Sequence, residues 1–508
     1  MDNKISSALI SVFCKDGLDV IIQQLDQLGV RIYTTGGTQE FIESLGISVI
    51  RVEDLTGYPS ILDGRVKTLH PKVFGGILAK RSDDHLTQLT KYDIPPMDLV
   101  IVDLYPFEET VLATDDQSKI IEKIDIGGIS LIRAAAKNFH DVTVISSKDQ
   151  YQKLYDILTI HKGVTTLQDR QHLAAEAFKV SSHYDTAIFQ YLADEALKSA
   201  TFKHSIMDHL PLRYGENPHQ TATFFGNLDN IVSKLCGKEL SYNNLVDIDA
   251  AISLMFEFRY EPPTMAILKH TNACGVATRQ SVSEAWQSAL AADPVSAFGG
   301  ILIANSTIDL SAAELIDQIF YEVLIAPDFT PEAEVLLRKK AKRVLLKLHK
   351  YPQSPQTFRS LINGVIVQDA DRESSGPQDL RVMTKLSPNP EEISDLLFAE
   401  KCAKHLKSNT IVLVRDKQLL GMGCGQTSRV DACAQAIAKA KKFGFSLIGA
   451  VMASDAFFPF PDCVELVYHE GIKAVIQPGG SIKDQYSIDY CDQQGMSMVF
   501  TGSRHFRH

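Results

Sequence analysis

The feature that most constrains the fold of this chain is a faint internal repeat in its second half. ILKHTNACG (267–275) precedes an alanine-rich helical segment from Val282 to Ala292, then the apolar runs GILIAN (300–305) and VLIAP (323–327). LLGMGCG (419–425) precedes a similar segment from Arg429 to Lys441, then GAVMAS (449–454) and AVIQP (474–478). Landmarks recur at near-constant spacing: Cys274 to Cys424 is 150 positions, Asn305 to Ser454 is 149 and Pro327 to Pro478 is 151. A fixed period implies a repeated supersecondary unit, so two copies of one α/β lobe are expected here.

The region before the repeat alternates β-branched runs with amphipathic segments, the pattern of a doubly wound α/β unit with a parallel sheet. Strands are expected at Ser7–Phe13, Val30–Thr35 and Ile47–Val52, with a helix at Gly17–Leu28. Asp98 to Leu104 reads DLVIVDL, apolar toward both faces as a central strand requires. Thr166 to Leu197 has helical spacing and an irregular stretch follows, which places the first boundary near residue 200. At about 150 residues per domain, 508 residues correspond to roughly three domains, in line with one such unit and two lobes.

Composition narrows the function. Lys plus Arg number 51 and Asp plus Glu 62, a balance of −11, which argues against a general nucleic-acid binder and requires local basic sites for any anionic substrate. The eight cysteines are scattered with no Cys-x-x-Cys pair, as in a reduced, cytoplasmic protein without structural zinc. No stretch nears the ~20 apolar residues of a membrane span, and Ala8–Phe13 is too short for a signal-peptide core. There is no G-x-x-x-x-G-K-[ST] or G-x-G-x-x-G motif, so ATP or NAD chemistry is not expected.

Several clusters carry chemistry. Gly36-Gly37-Thr38 joins a strand to a helix, where small residues let backbone N–H groups approach a phosphate, although an unliganded tight turn has the same composition. Gly64 to Lys72 packs Arg65, Lys67, Thr68, His70 and Lys72 into nine residues. Asp125 precedes a helical stretch that carries Arg133 and Lys137 four residues apart, and Tyr105 closes the DLVIVDL strand. An acid, a phenol and two cations are therefore candidates for a proton-transfer site. In the second half, RYGENPHQ (213–220) is a polar loop, and Lys269-His270 places a cation and an imidazole at a strand end, a reasonable acid/base pair. SDAFFPF (454–460) could wall a flat ring, and the chain runs to RHFRH (504–508), unlike a frayed tail.

Taken together, GGT (36–38), GRVKTLHP (64–71), LYPF (104–107), DIGG (125–128), RAAAKN (133–138), RYGENPHQ, LSYNNL (240–245), LKHTNACG (268–275), SDAFFPF and RHFRH resemble a bifunctional purine-biosynthesis family. That family combines aminoimidazole carboxamide ribonucleotide (AICAR) formyltransferase with inosine monophosphate (IMP) cyclohydrolase. The match is collinear from about Ser7 to His508. The resemblance implies a methylglyoxal-synthase-like cyclohydrolase domain over 1–199. It implies a transformylase over 200–508 built from two cytidine-deaminase-like lobes, about 200–375 and 376–508. Deaminases of that fold carry H-x-E and P-C-x-x-C zinc motifs, neither of which occurs here.

For formyl transfer, the resemblance implies His270 as general base, Lys269 as the group that stabilises charge on the formyl oxygen, and Asn409 as the orienting residue for 10-formyltetrahydrofolate. It places Arg213, Tyr214, Asn244, Phe298, Gly299, Glu322, Phe457, Arg504 and Phe506 around the nucleotide, and Arg429 and Asp462 on the folate side. For ring closure it implies Lys67, Tyr105, Asp125 and Lys137, with Lys15, Arg65, Thr68 and Gly36, Gly37 and Thr38 near the substrate. It also implies a homodimer with shared transformylase sites, small-molecule partners only, and no membrane or nucleic-acid partner. Two departures from the family pattern stand out: Phe13-Cys14 stands where members commonly read Ser-Asp, and Asp103 where they commonly carry Asn. These departures motivate an alternative, a transformylase whose N-terminal domain is only a nucleotide-binding regulatory module.

Overall fold

The computed structural model describes residues 2–352 and 354–508, apart from the side chain of Asp63, and the chain forms two units, 1–207 and 208–508. The division falls beyond residue 200 because the intervening segment folds back onto the long helix Leu167–Leu192: Gln190 Nε2 donates to the Lys203 carbonyl at 2.8 Å, and His183 Nδ1 lies 2.9 Å from Ser205 Oγ.

In the first unit, β1 (Ser7–Ser11), β2 (Arg31–Thr34), β3 (Ile50–Arg51), β4 (Leu99–Val102) and β5 (Thr143–Ile145) form a parallel sheet in the order β3-β2-β1-β4-β5. The chain winds outward from β1 in one direction and then from β4 in the other. The gap beyond their carboxyl ends is thus the topological switch point, where open α/β sheets bind ligands. Leu9, Ile10, Val100 and Ile101 are buried with helices on both faces, which explains the doubly apolar DLVIVDL run. Helix Leu167–Leu192 starts at a Thr166/Asp169 capping box and buries Arg170, whose guanidinium donates to the carbonyls of Phe139, His140 and Thr165.

The second unit is organised by a twelve-stranded mixed sheet. Its strands are β6 (Val232–Cys236), β7 (Thr264–Lys269), β8 (Asn272–Thr278), β9 (Ile301–Ala304), β10 (Val323–Ala326), β11 (Val344–Leu348), β12 (Arg381–Val382), β13 (Ile411–Arg415), β14 (Gln418–Gly423), β15 (Val451–Ser454), β16 (Ala474–Gln477) and β17 (Ser497–Phe500). Their order is β6-β11-β10-β9-β7-β8-β14-β13-β15-β16-β17-β12. Outward from the central β8–β14 contact, the same succession appears on each side: an antiparallel hairpin, an antiparallel neighbour, two parallel neighbours and an antiparallel edge. One sheet face forms a continuous core beneath helices Tyr242–Glu257 and Pro390–Lys404, whereas the other carries two separate cores, one per half.

The hairpin turns correct one sequence landmark. His270-Thr271 links β7 to β8 and Asp416-Lys417 links β13 to β14, a displacement of 146 positions. Cys274 lies inside β8 but Cys424 lies just past β14, so their 150-residue spacing is not a structural equivalence. Glycines let each following helix close on its hairpin: a Cβ at Gly275 would lie 2.0 Å from the Ala289 carbonyl oxygen, and one at Gly423 2.0 Å from that of Ala432.

Candidate active sites

In the first unit, two loops and a helix start meet the switch point: Val12–Lys15 after β1, Asp103–Tyr105 after β4, and Gly36–Thr38, the first turn of helix Gly36–Ser44 after β2. Thr38 is spent on binding that helix start to the loop after β1, because its hydroxyl accepts from Val12 N–H at 3.1 Å and donates to Val12 C=O at 3.0 Å. Gly36 adopts φ +48°, which favours glycine, and it lies against Lys67, whose Nζ would be 3.0 Å from a Cβ there. Lys15 donates to the carbonyls of Val12 and Phe13. Burial lowers its pKa, an effect that the charge of Asp103 opposes and that of Lys67 adds to.

Asp103 ties down the loop after β1, because its carboxylate accepts the backbone N–H groups of Phe13 and Cys14, the latter at 2.8 Å. Burial pushes its pKa up, while those two N–H donors and Lys15 pull it back. Phe13 packs edge-on against Tyr105, ring centroids 5.6 Å apart, and Lys123 Nζ stands 5.3 Å from both centroids. The two departures from the family pattern therefore build one feature, a carboxylate-tied loop that lays an aromatic ring against Tyr105.

Asp125 sits before helix Gly127–Lys137 and accepts from Gly128 N–H at 2.6 Å. Its own N–H donates to the Tyr184 hydroxyl at 2.9 Å, which in turn donates to the Lys123 carbonyl. Burial raises the Asp125 pKa, against backbone hydrogen bonds from Gly128, Ile129 and Tyr105. Tyr105 is raised by burial and then by the charges of Asp125 and Asp103. The upward shift brings the Asp125 carboxyl closer to neutrality than a solvated carboxylate, as suits a proton-transfer group, whereas the Tyr105 phenol is held more firmly in its protonated, donating form. Thr68 joins them, since a Cβ at Gly127 would lie 3.0 Å from its hydroxyl. Arg65 is engaged by Glu122 on an exposed face.

Lys137 and Arg133 do not join this cluster. Lys137 ends the helix that Gly127 begins, about 15 Å along its axis. It lines, with Arg133, Phe74, Leu78 and Phe178, a separate cavity of about 640 Å³. Helical spacing alone could not reveal this, because it sets the face of a residue but not which helix end meets the site.

In the second unit, Lys269 and His270 occupy the end of a hairpin with a two-residue loop. Both loop residues take positive φ, 51° at His270 and 65° at Thr271, as a type I′ turn demands and as the β-branched Thr271 in particular disfavours. Lys269 Nζ donates to the carbonyls of Phe298 (2.9 Å) and Gly299 (3.1 Å). An ammonium has three donors, so a third remains for a substrate oxygen. Gly299 is itself at φ +68°, and a Cβ there would lie 3.2 Å from Lys269 Nζ. Phe298, 63% exposed, rests on Phe320. Glu322 donates its N–H to the Gly300 carbonyl and pairs with Lys238.

Asn409 is held from two sides: its Nδ2 donates to the Gln426 carbonyl at 2.9 Å, and its Oδ1 accepts from Arg429 Nη2 at 2.8 Å. Arg429, 8% exposed, also donates to Ser454 Oγ at 2.9 Å and pairs with Asp455, 2% exposed. Its buried guanidinium thus aims Asn409. The terminal segment docks beside it, with Ser408 N–H donating to the Arg507 carbonyl (3.0 Å), Arg507 N–H to Ser408 Oγ (3.1 Å) and His505 N–H to the Asp455 carbonyl (3.0 Å). Arg504 stacks over Phe506, 4.3 Å from its centroid.

Asn272 ties the two groups together: its Nδ2 donates to the His270 carbonyl at 2.9 Å, and its Oδ1 accepts from Lys407 N–H at 3.2 Å. Arg213 stacks on and hydrogen-bonds Tyr214, and this loop reaches the start of helix Tyr242–Glu257 through Asn243 and the Glu216 carbonyl. Asn244 belongs to that helix's capping box, its Oδ1 accepting from Ser241 N–H and Oγ. Phe457 is half-buried, and Asp462 caps the N–H of Cys463.

Sequence reasoning missed Asp247, Asn272, Asp455 and Tyr184. An acid among the apolar positions of an amphipathic helix was the available signal for Asp247. Among the described residues no group of three or more His, Cys, Asp or Glu side chains is placed to hold a metal ion, and no helix is long and apolar enough to cross a membrane.

Comparison with known proteins adds to this geometry. The AICARFT/IMPCHase bienzyme family model matches residues 135–439, and an MGS-like domain model matches 17–130. The chain is 57% identical over 506 residues to the bifunctional purine biosynthesis protein PurH of Bacteroides thetaiotaomicron, covering 99% of each. It is 44% identical to the PurH protein of Chlorobium chlorochromatii over the whole of both chains, and 46% identical to that of Acetivibrio thermocellus over 99% of this chain and all of the relative.

Proposed function

The chain belongs to the AICARFT/IMPCHase bienzyme family and is a bifunctional AICAR formyltransferase and IMP cyclohydrolase of purine biosynthesis, and we propose that each of its two units houses one of these activities. Ring closure belongs to the first unit and formyl transfer to the second. The full-length relatives carry the bifunctional name, which favours two activities over a purely regulatory N-terminal domain.

In the second unit, the 5-amine of AICAR attacks the formyl carbon of 10-formyltetrahydrofolate. A carbon–nitrogen bond forms, the bond to folate N10 breaks, and the proton lost by the amine is passed to N10. His270 takes that proton, Lys269 stabilises the oxyanion through its remaining donor, and Asn409 orients the formyl group. Arg213, Tyr214, Phe298, Arg504 and Phe506 hold the nucleotide. In the first unit, the carboxamide nitrogen attacks the new formyl carbon and water leaves. Asp125 and Tyr105 move the protons, Lys67 meets the substrate at the Gly36 turn, and proximity supplies much of the rate because the step is intramolecular. The observation that carries this assignment is the Lys269-His270 turn, with the ammonium held over the Gly299 carbonyl. We further assign the protein to the cytoplasm as a homodimer that handles small molecules only.

The test supplies formyl-AICAR alone and follows IMP absorbance. The wild-type protein is expected to turn it over. Gly128→Ala is expected to reduce this at least tenfold, because the new Cβ would meet Asp125 Oδ2 at 2.7 Å, while formyl transfer from 10-formyltetrahydrofolate persists. Absence of turnover by the wild-type protein would refute the assignment of ring closure to it.

A further inference from the structure

The turn that presents His270 is anchored from outside its own hairpin. Asp247, on helix Tyr242–Glu257, accepts from Thr271 N–H through Oδ1 at 2.7 Å. Both residues of this turn carry side chains at positive φ, a conformation that two-residue turns usually assign to glycine or asparagine. Without an external tie, His270 and Thr271 favour other backbone conformations, and the imidazole moves with them. Asp247 is partly buried, which pushes its pKa up, while the Thr271 N–H and then the charges of His270 and Lys269 pull it back.

The other half of the sheet carries the same device without the chemistry. Asp395, the sixth residue of helix Pro390–Lys404 as Asp247 is the sixth of Tyr242–Glu257, accepts from Asp416 N–H at 2.8 Å and Lys417 N–H at 2.7 Å. Asp416 and Lys417 also hold positive φ, 54° and 51°. A helix carboxylate that pins a left-handed turn is thus a feature of both halves. Only one of the two turns places an imidazole beside a lysine held by the Phe298 and Gly299 carbonyls.

We propose that Asp247 is a positioning residue for formyl transfer: it touches no substrate, and by holding the His270-Thr271 turn in its left-handed form it fixes the imidazole for the amine. This rests on His270 being the base of the transformylase. The structure supplies a suppressor, because glycine at 271 adopts positive φ without an anchor.

The experiment measures steady-state formyl transfer, with urea unfolding of the second unit as the folding control and IMP formation from formyl-AICAR as the check that the first unit is intact. Asp247→Ala is expected to lower kcat at least 50-fold with the AICAR KM within threefold. Asp247→Asn, which keeps an Oδ1 acceptor, is expected to stay within fivefold of wild type, and it carries the test should the alanine variant fail to fold. Adding Thr271→Gly to Asp247→Ala is expected to restore at least tenfold. Asp395→Ala is expected to lower the unfolding midpoint while kcat stays within twofold. A folded Asp247→Ala protein with near-normal kcat, an Asp247→Asn protein as impaired as the alanine variant, or a Thr271→Gly that restores nothing would overturn the proposal. Undiminished transfer by His270→Ala would instead defeat the underlying assignment of the base, so the two failures are distinguishable.

Discussion

His270→Ala is expected to lower formyl transfer by about 10³-fold, the usual scale for removing a positioned base, with AICAR affinity changed only a few-fold and IMP formation from formyl-AICAR unchanged. The turn places the imidazole at the tip of a hairpin whose strands are otherwise buried, so truncation removes a proton acceptor without opening a core. Lys269→Ala is expected to cost about 10²–10³-fold, as removal of an oxyanion donor does. It also leaves the carbonyls of Phe298 and Gly299 without their ammonium. Equilibrium binding of AICAR together with single-turnover transfer checks both variants. Unchanged single-turnover rates would contradict the roles given to this pair.

Arg429→Ala is expected to combine a stability loss with a catalytic one. The guanidinium is the ion-pair partner of Asp455, which has almost no exposure, and breaking a buried pair from one side typically costs about 3–5 kcal/mol. The second unit should unfold at clearly lower urea concentration. Transfer should fall even where the protein is folded, because Asn409 Oδ1 loses its donor. Arg429→Lys is not expected to rescue both effects: one ammonium cannot reproduce the fork that reaches Asp455, Ser454 and Asn409 together. Urea unfolding and transfer rates on the same samples decide this, and a wild-type unfolding midpoint would contradict it.

Sequence carries the architecture further than the sites. Strand runs such as DLVIVDL and GILIAN are apolar for a reason that does not depend on partners, since both faces of those strands are covered, and their period is visible in one dimension. The like strand succession of the two halves of the large sheet is hinted at by apolar runs, yet those runs misplace the hairpin offset: Cys274 and Cys424 coincide in spacing, whereas the two hairpin turns lie 146 positions apart. The residues proposed to act by their own chemistry, such as Lys269, His270, Tyr105 and Asp125, stand out by type. Those that act through geometry do not. Asp247 and Asp455 look like ordinary acids until the N–H groups and the guanidinium they face are placed. Asp103 and Phe13 read as departures from a pattern, and only the fold shows the carboxylate tying down the loop that sets Phe13 against Tyr105. Sequence proximity groups Lys137 with Asp125, but the eleven residues of the intervening helix hold them apart.

Two separate sites, one in each unit, are proposed to carry the two sequential activities. The most direct measurement mixes two purified proteins, His270→Ala and Asp125→Asn, with AICAR and 10-formyltetrahydrofolate and follows IMP. Neither variant alone is expected to make IMP at an appreciable rate, and the mixture is expected to make it, because formyl-AICAR released by one is closed by the other. A single variant that loses both activities when each is assayed separately, or a mixture that remains silent while formyl-AICAR accumulates, would contradict the account.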